Sequence, residues 1–270
     1  MQIPKTKTSK MIEIEERLGE PLSSFLKRRY KNWDTITSLS QELGVDYGQL
    51  GVWFKFFNIK TRGTGPVRRL EKIKLSERCK QIIYGSILGD GHLFLPTETT
   101  QYAFSEKHSK KQEVYLRWKA RLLSSLSPLV YEVMDKSAYT EHMYVLQMSS
   151  CQFFTELRQE TYPKGVKIIP ASLLERLAPL GLAVWFMDDG SISDENHYFE
   201  WRLHTNGFDN DSIEIALGYF RKKYAVYPTT FEGAGGRIMR FKKSDTIKLM
   251  GITRRHFPEC MRYKLRSKHV

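Results

Sequence analysis

The stretch LAVWFMDDG at residues 182–190 carries the most specific pattern in the chain, and IYGSILGDG at 83–91 repeats it more loosely. Each is an apolar, helix-like run that ends in an acidic residue followed by glycine, so each delivers one carboxylate to the end of a helix. Gly85 and Gly89 lie on one helical face, where the lack of a side chain lets another backbone approach closely. We therefore expect the two helices to pack against each other.

Asp90 and Asp189 are the carboxylates that these stretches deliver. A helix has a partial negative charge at its C-terminal end, so an aspartate there is disfavoured unless a cation lies opposite it. Carboxylates and water hold hard divalent cations, typically Mg²⁺ where phosphate is the substrate. Either motif alone is equally well explained as an ordinary helix cap and turn. It is the pairing of the two motifs that favours a metal site.

The two stretches resemble the paired motifs of the single-chain LAGLIDADG homing endonucleases, although Ser86 and Leu88 depart from the name sequence in the first copy. The resemblance covers roughly residues 76–268. It implies Mg²⁺ or Mn²⁺ as cofactor and a set of metal-binding positions that includes the two aspartates and the residue before each: Gly89, Asp90, Asp188 and Asp189.

The resemblance also extends to VKIIP at 166–170 and MRYKL at 261–265, where it implies a basic residue near each active site. Lys167 and Lys264 are therefore predicted to be catalytic together with the two aspartates. Hydrolysis of a phosphodiester requires an activated water and a charge that stabilises the phosphate oxygens, and carboxylate-held metal plus lysine can supply these. Without the resemblance, either lysine would be interpreted as a surface residue.

The fold that the resemblance implies is α+β, a pseudo-twofold endonuclease fold of two αββαββα halves whose antiparallel sheets form a saddle over DNA. The halves are placed approximately at 76–170 and 171–270. The residue pattern agrees with this order. It predicts strands at 101–107, 129–134, 143–148, 199–206, 226–231 and 237–242, and helices at 109–126, 151–160 and 211–224, with a closing helical stretch.

One strand has a polar face suited to reading bases. Along residues 200–207, Arg202, His204 and Asn206 alternate with apolar or small residues, so they share one face. Arginine matches the edge of guanine and asparagine that of adenine, which makes the three residues candidates for DNA binding. Arg240 and Lys242 repeat the arrangement. A solvated outer face is the alternative for any single strand.

The segment at residues 36–57 has the length and pattern of a helix-turn-helix, with Gly44 at the turn and Asp46 as N-cap of the second helix. The basic tail at 58–69 favours nucleic-acid binding over a small three-helix bundle that only packs. We predict an all-α DNA-binding extension at 1–70 and the endonuclease domain at 71–270. The candidate DNA-contacting residues of the extension lie on or near its second helix and in the tail. They are Tyr47, Gly48, Gln49, Gly51, Lys55 and Arg62.

Composition agrees with a nucleic-acid partner. The formal net charge is +13, which suggests a polyanion, and the three cysteines fit neither a zinc motif nor a disulfide framework. No signal peptide or membrane-spanning run is evident, so we expect an intracellular protein in whichever compartment holds the host genome. We expect a monomer, because both motifs lie on one chain.

Together these features predict a site-specific homing endonuclease that hydrolyses double-stranded DNA at a long recognition site and promotes the mobility of its host element. By analogy it would cut both strands across the minor groove and leave short 3′ overhangs. An RNA-splicing maturase that binds intron RNA, or a DNA-binding regulator that does not cleave, remains the alternative on the same fold. The expected host element is an intron or a free-standing mobile gene.

Overall fold

A computed structural model of the chain describes residues 3–31, 34, 36–61, 75–97, 99–134, 142–195 and 198–265. These residues form α-helices and antiparallel β-strands joined by short 3-10 helices. They divide into two compact units, the first made of Met1–Arg69 and His108–Met148 and the second of Leu70–Lys107 and Ser149–Val270. Every helix of the described residues is too short or too polar to span a membrane.

The helices, numbered in chain order, are α1 (Ser9–Leu18), α2 (Leu22–Lys31), α3 (Ile36–Leu43), α4 (Tyr47–Phe56), α5 (Glu77–Leu88), α6 (Glu113–Leu122), α7 (Gln152–Thr161), α8 (Ala171–Arg176), α9 (Pro179–Asp189), α10 (Asn210–Tyr224) and α11 (Lys243–Thr253). The strands are β1 (His92–Phe94), β2 (Ala103–Ser109), β3 (Leu129–Met134), β4 (His142–Met148), β5 (Gly190–Glu195), β6 (Tyr198–Leu203), β7 (Thr229–Gly233) and β8 (Gly236–Phe241).

Helices α1 to α4, in the first unit, form what we call the helical module. Leu39 on α3 and Leu50 and Trp53 on α4 are buried in its core. The turn between α3 and α4 uses Gly44 at φ +65°, a left-handed conformation that glycine adopts without a steric penalty. The Asp46 side chain accepts hydrogen bonds from two backbone N–H groups of the first turn of α4. The two predicted helices and the N-cap are therefore confirmed.

In the second unit, α5 and α9 pack directly against each other, as the sequence predicts. A side chain at Gly85 would lie 2.3 Å from the carbonyl oxygen of Gly181, and one at Gly181 would lie 2.6 Å from the Gln81 Oε1 atom. Gln81 also ties the helices together, because its amide donates to the Arg176 carbonyl and its Oε1 accepts from the Ala178 N–H at the start of α9. The missing side chains allow this close approach.

The strands form two four-stranded sheets with the same topology, in the orders β1-β2-β4-β3 and β5-β6-β8-β7. Each sheet follows one motif helix and takes in two hairpins separated by a helix, which is the predicted repeat. In the second unit an aromatic cluster joins α9 to its sheet. The Phe186 ring lies 4.2 Å from that of Trp201 on β6 and 5.5 Å from that of Phe241 on β8, between ring centroids.

Three predicted elements differ from the structure by three or more residues at one end. The strand expected over 199–206 ends at Leu203, and a turn closed by a hydrogen bond from the Phe208 N–H to the Thr205 carbonyl oxygen follows it. The helix expected over 109–126 is α-helical only in α6, with 3-10 turns at Lys110–Gln112 and Ser124–Leu126. The strand expected from residue 226 begins at Thr229, because Pro228 has no N–H for a ladder. The domain boundary expected near residue 70 lies outside the described residues, and the division into an N-terminal extension and an endonuclease domain stays a prediction.

Candidate active site at the ends of the paired helices

The two motif aspartates lie where the paired helices end. Asp90 follows the Gly89 cap of α5, and Asp189 is the last residue of α9. The glycine after each aspartate has a steric reason. A side chain at Gly91 would lie 2.7 Å from the Ser86 carbonyl oxygen, and one at Gly190 only 2.3 Å from that of Phe186. The backbone therefore turns back tightly just after each carboxylate and leads into β1 or β5.

Asp188 adds a third carboxylate to this place. Asp188 and Asp90 each offer an oxygen, and these two oxygens lie within 4.8 Å of one another. The Asp188 side chain occupies the space that a side chain at Gly89 would need, with its Cβ 2.5 Å and its Oδ2 2.9 Å from an ideal Cβ there. Asp188 is 8% exposed, so its charge is largely withdrawn from water.

Lys167 lies at the end of α5. Its Nζ donates hydrogen bonds to the carbonyl oxygens of Gly89 at 2.6 Å and Gly91 at 3.1 Å, on either side of Asp90. The segment that carries it is held by a hydrogen bond from the Ile168 N–H to the Thr161 carbonyl oxygen at the end of α7. The structure thus brings this predicted lysine to its aspartate.

Lys264 lies in the corresponding position at the end of α9. Its Nζ donates to the carbonyl oxygens of Met187 at 2.6 Å and Asp188 at 3.0 Å. Its backbone is positioned by Trp201, whose indole Nε1 donates to the Lys264 carbonyl oxygen at 3.2 Å. A positive charge at a helix C-terminus is electrostatically favourable, so each lysine also stabilises the helix end it contacts.

The site brings together the side chains of three aspartates and two lysines. Burial, followed by the charges of Asp90 and Asp188, raises the pKa of Asp189 to about 8, although Lys167 and Lys264 act in the opposite direction. Burial likewise lowers the pKa of Lys167, and the three aspartates oppose this shift. Three carboxyl groups therefore lie beside two lysine side chains, and a bound cation would favour the ionised form of Asp189.

Two further side chains, outside the motif residues named from the sequence, lie near the site. His92 and Ser191 both follow a motif aspartate by two residues, an offset that could have identified them from the sequence. The Ser191 hydroxyl lies 2.9 Å from the Nε2 atom of His204, and the His204 N–H donates to the Asp189 carbonyl oxygen. Burial, followed by nearby cationic side chains, lowers the pKa of both histidines, so both are neutral near pH 7.

The residues present suit a hard divalent cation. Two ligand oxygens of one Mg²⁺, Mn²⁺ or Ca²⁺ ion are separated by at most about 4–5 Å, which matches the spacing of the Asp90 and Asp188 carboxylates. All three carboxylates supply oxygen, the ligand that these ions prefer. Asp90, Asp188 and Asp189 are the side chains that could hold such an ion, and the carbonyl group of Gly89 lies between Asp90 and Lys167.

The polar face predicted along residues 200–207 is only partly on a strand, because β6 ends at Leu203 and both His204 and Asn206 follow it. Arg202 is partly exposed, His204 exposed and Asn206 partly buried, while the residues between them are buried. Arg202 forms an ion pair with Glu200 at 3.0 Å, and the Asn206 amide donates to the Ala234 carbonyl in the β7–β8 turn. Base contacts by these two side chains would therefore replace or share existing hydrogen bonds.

The neighbouring strand carries the other two candidates. Arg240 is exposed and its Nε donates to the Thr229 hydroxyl across the β7–β8 pair at 3.0 Å. Lys242 is exposed directly before α11. Arg202 is paired with Arg240 in the β6–β8 register, so the two guanidinium groups belong to adjacent strands of one sheet.

The candidates in the first unit lie on α4. Lys55 and Gly48 are exposed, Gln49 is partly buried, and Tyr47 is 52% exposed, which is high for an aromatic side chain. Gly51, the remaining candidate on this helix, is partly buried, and the DNA-binding role of α4 stays a prediction. Arg62 lies outside the described residues.

Comparison with known proteins identifies the family. The profile of the LAGLIDADG DNA endonuclease family matches residues 80–249, which include all of α9, most of α5 and every described strand. The chain belongs to this family. The solved structure of the homing endonuclease I-WcaI bound to its DNA recognition sequence has the same fold, with a TM-score of 0.67 at 20% identity, covering 77% of this chain and 96% of that one. The predicted LAGLIDADG fold is therefore confirmed.

Curated relatives of this LAGLIDADG chain have different names. It is 33% identical over 213 residues to a protein named RecA from Mycolicibacterium flavescens, covering 74% of this chain and 49% of that protein. It is 24% identical over 240 residues to the cytochrome b mRNA maturase bI2 of Debaryomyces hansenii, covering 78% and 89%. The chain spans about half the length of the first curated relatives it matches.

Proposed function

We propose that this chain is a site-specific homing endonuclease that hydrolyses double-stranded DNA with a divalent cation, Mg²⁺ or Mn²⁺, and thereby promotes the mobility of its host element. The observation that carries the proposal is the gathering of three carboxylates and two lysines at the ends of α5 and α9. Family membership and the fold shared with a DNA-bound homing endonuclease support it.

The proposed reaction breaks one P–O3′ bond in each strand by attack of water on phosphorus. A divalent cation, when bound, polarises the phosphate and acidifies water. Asp90, Asp188 and Asp189 would hold the cation, with the carbonyl group of Gly89 beside them. Lys167 and Lys264 would each supply a fixed positive charge that stabilises the charge developing on the phosphate oxygens. Because both lysines are already anchored to helix-end carbonyls, this charge is oriented before substrate binds.

DNA recognition is proposed to use two surfaces. Arg202, His204, Asn206, Arg240 and Lys242 lie on the second sheet or directly after its strands, and Gln49 and Lys55 on α4. We also assign Arg62 of the basic tail to DNA binding, from the sequence. Contacts to phosphate depend strongly on salt, and contacts to base edges carry specificity. The net charge of +13 supports a large phosphate-contact component.

The test is cleavage of a randomised DNA library, and of the uninterrupted insertion locus, with Mg²⁺ and with EDTA. Wild type should make a double-strand cut with short 3′ overhangs at one long site in Mg²⁺ only. Asp189→Asn should bind the same site without cutting it. Lys248→Met, which changes an exposed lysine on α11, is a matched control that should cut like wild type.

A second candidate is a maturase that assists RNA splicing. The relative that favours it is the Debaryomyces hansenii maturase, because the alignment covers 89% of that protein. The same preparation should then bind its intron RNA specifically and speed splicing in vitro. Tight, specific DNA or RNA binding with no cut in Mg²⁺ or Mn²⁺ would contradict the endonuclease and favour a maturase or a non-cleaving regulator.

A further inference from the structure

Asp34 joins the helical module to α6 through two arginines. Its carboxylate is 3% exposed and accepts a hydrogen bond from the Arg29 Nε atom at 2.5 Å and another from Arg117 Nη2 at 2.6 Å. Arg29 lies on α2 and Arg117 on α6, both within the first unit. One buried carboxylate thus connects the module to a helix 83 positions further along the chain.

The two arginines extend this link on both sides. Arg29 donates to both carboxylate oxygens of Glu42 on α3, at 2.8 and 2.7 Å. Arg117 donates through Nε to Glu113 at 2.8 Å, and Glu113 in turn shares a hydrogen bond with Tyr144 on β4. Burial, with the nearby carboxylates, raises the pKa of Tyr144 to about 12, so the phenol stays protonated. We call Glu42, Arg29, Asp34, Arg117 and Glu113 the Asp34 network.

The geometry of the network restricts how the guanidinium groups of its two arginines can turn. A guanidinium group is a planar fork, and an arginine that is bonded through two of its edges can turn only if it breaks a hydrogen bond. Arg29 and Arg117 each donate hydrogen bonds to two different carboxylates at the same time. Arg117 is 14% exposed at its side chain, so solvent screens the pair weakly. Buried ion pairs add little net stability, but they can specify one arrangement over another.

The apolar core of the module does not account for this link. Its buried members all lie between Met11 and Phe54, and the partly buried apolar residues packed against it extend only to Ile59. Among the described residues, α6, β3 and β4 contribute nothing to that cluster. The Asp34 network is therefore a polar connection, separate from the module's core, between α2 and α3 on one side and α6 and β4 on the other.

We propose that the Asp34 network holds the helix-turn-helix of α3 and α4 in fixed register with the β3–β4 hairpin, so that both engage one DNA duplex at a set spacing. Asp34 and Arg117 are positioning residues for specificity and touch no DNA themselves. The partner is double-stranded DNA. The family resemblance implies that the sheet containing β3 and β4 lies on the duplex, and α4 would contact the DNA that flanks this segment. This inference rests on the proposed function, because it requires a specific DNA site.

The test uses the full chain and a site obtained by selection and mapped by footprinting. Five base pairs, about half a helical turn, are inserted between the part of the footprint assigned to α4 and the rest. Wild type should lose affinity for the inserted site by about tenfold or more, the value of one or two bidentate base contacts. Arg117→Met removes the link to α6 but keeps the Arg29–Asp34 pair.

In Arg117→Met, we expect affinity for the inserted site to fall by less than about threefold relative to its own uninserted site, since a freed module can follow the displaced bases. Asp34→Asn should behave in the same way, and the double variant should add little further effect. Glu13→Gln breaks the exposed Lys10–Glu13 pair in the same unit and is the matched control, expected to match wild type. Circular dichroism establishes that each variant is folded.

The outcomes separate the two hypotheses. A wild-type protein that tolerates the insertion, or a folded Arg117→Met variant with the full wild-type penalty, overturns the register role while the endonuclease stands. If wild type selects no specific DNA site at all, the proposed function fails and this inference fails with it. Greater hydrogen exchange of α3 and α6 in Arg117→Met than in Glu13→Gln would support the link independently of DNA.

Discussion

The ends of α5 and α9 carry the same chemistry with different neighbours. Each has an aspartate, a glycine after it and a lysine whose Nζ binds the carbonyl of the residue before the aspartate. The residue before the aspartate is Gly89 at one end and Asp188 at the other. The second hydrogen bond of the lysine also differs, because Lys167 binds the carbonyl after its aspartate and Lys264 the carbonyl two residues before its own.

The difference between Gly89 and Asp188 follows from the close packing of α5 against α9. Gly89 and Asp188 face each other so closely that only one of them can carry a side chain. Both helix ends can carry an aspartate and a lysine because these side chains lie beyond the closely packed part of the two helices. At positions 89 and 188, within that part, there is space for one side chain only. The pair of helices therefore has matched aspartates and lysines but an additional carboxylate on one side only.

The largest effect is expected from removing either motif aspartate. Asp90→Asn and Asp189→Asn should each reduce double-strand cleavage by about 10³-fold, as losses of charge-stabilising groups at active sites do. Cleavage of a supercoiled plasmid, with nicked and linear products measured separately, checks this. If one variant still produced linear DNA at the wild-type rate, the two ends would not be equivalent in chemistry.

Loss of either lysine should come next. Lys167→Met and Lys264→Met should each lower the cleavage rate by about 10²-fold. The carbonyl groups left without a partner should cost about 1–3 kcal/mol of unfolding free energy. Single-turnover cleavage and urea denaturation measure the two effects, with Lys248→Met as the control. Unchanged cleavage with reduced stability would assign the lysines a structural role only.

The steric explanation for Gly89 and Asp188 can be tested by adding a side chain at position 89 and removing the one at position 188. Gly89→Ala places a Cβ 2.5 Å from that of Asp188 and should destabilise the fold by about 1–3 kcal/mol. Adding Asp188→Gly should recover most of this loss. Gly251→Ala on α11, where nothing lies within 4 Å, is the control and should stabilise by roughly 0.5–1 kcal/mol. Denaturation midpoints measure all three; no recovery in the double variant would contradict the steric explanation.

The smallest effect concerns the side-chain N-cap of α10, which α6, the corresponding helix of the first half, lacks. Asp209 accepts a hydrogen bond from the Ser212 N–H at the start of α10, whereas α6 has no side-chain cap. Hydrogen bonds from the side chain and backbone of Ser212 lower the pKa of Asp209. Asp209→Ala should cost about 1 kcal/mol at neutral pH.

The pH dependence of that cost has a definite sign. Because the pKa of Asp209 is depressed in the folded state, its contribution is present above the carboxyl's ordinary pKa and disappears as the pH falls through the folded-state value. Wild type and Asp209→Ala should therefore converge in unfolding free energy towards acidic pH. A difference that stayed constant into that range would contradict a charged cap.

Local pattern was sufficient for much of the fold. The apolar runs that end in Asp90 and Asp189 predicted two paired helices, and strict alternation around Arg202 and Arg240 predicted which strand faces are buried. Both predictions depend on backbone periods of about 3.6 and 2 residues, which act over a few positions. The position of Lys167 and Lys264 needed the family resemblance, because an isolated lysine in a basic chain carries no local signal.

By itself, the sequence located six of the eight described strands, the two carboxylates at helix ends and the turn and N-cap before α4, since these follow from interactions between near neighbours. Strands β1 and β5 followed only from the layout that the family resemblance implies. Only the tertiary structure decided that Asp188 fills the space at Gly89, that each lysine binds the carbonyls of a motif helix, and that Asp34 joins Arg29 to Arg117. These contacts link positions 76 to 83 residues apart in the lysine and arginine pairs. Their geometry exists only after separate segments have packed, because buried donors and acceptors must then find partners among whatever groups the fold brings near.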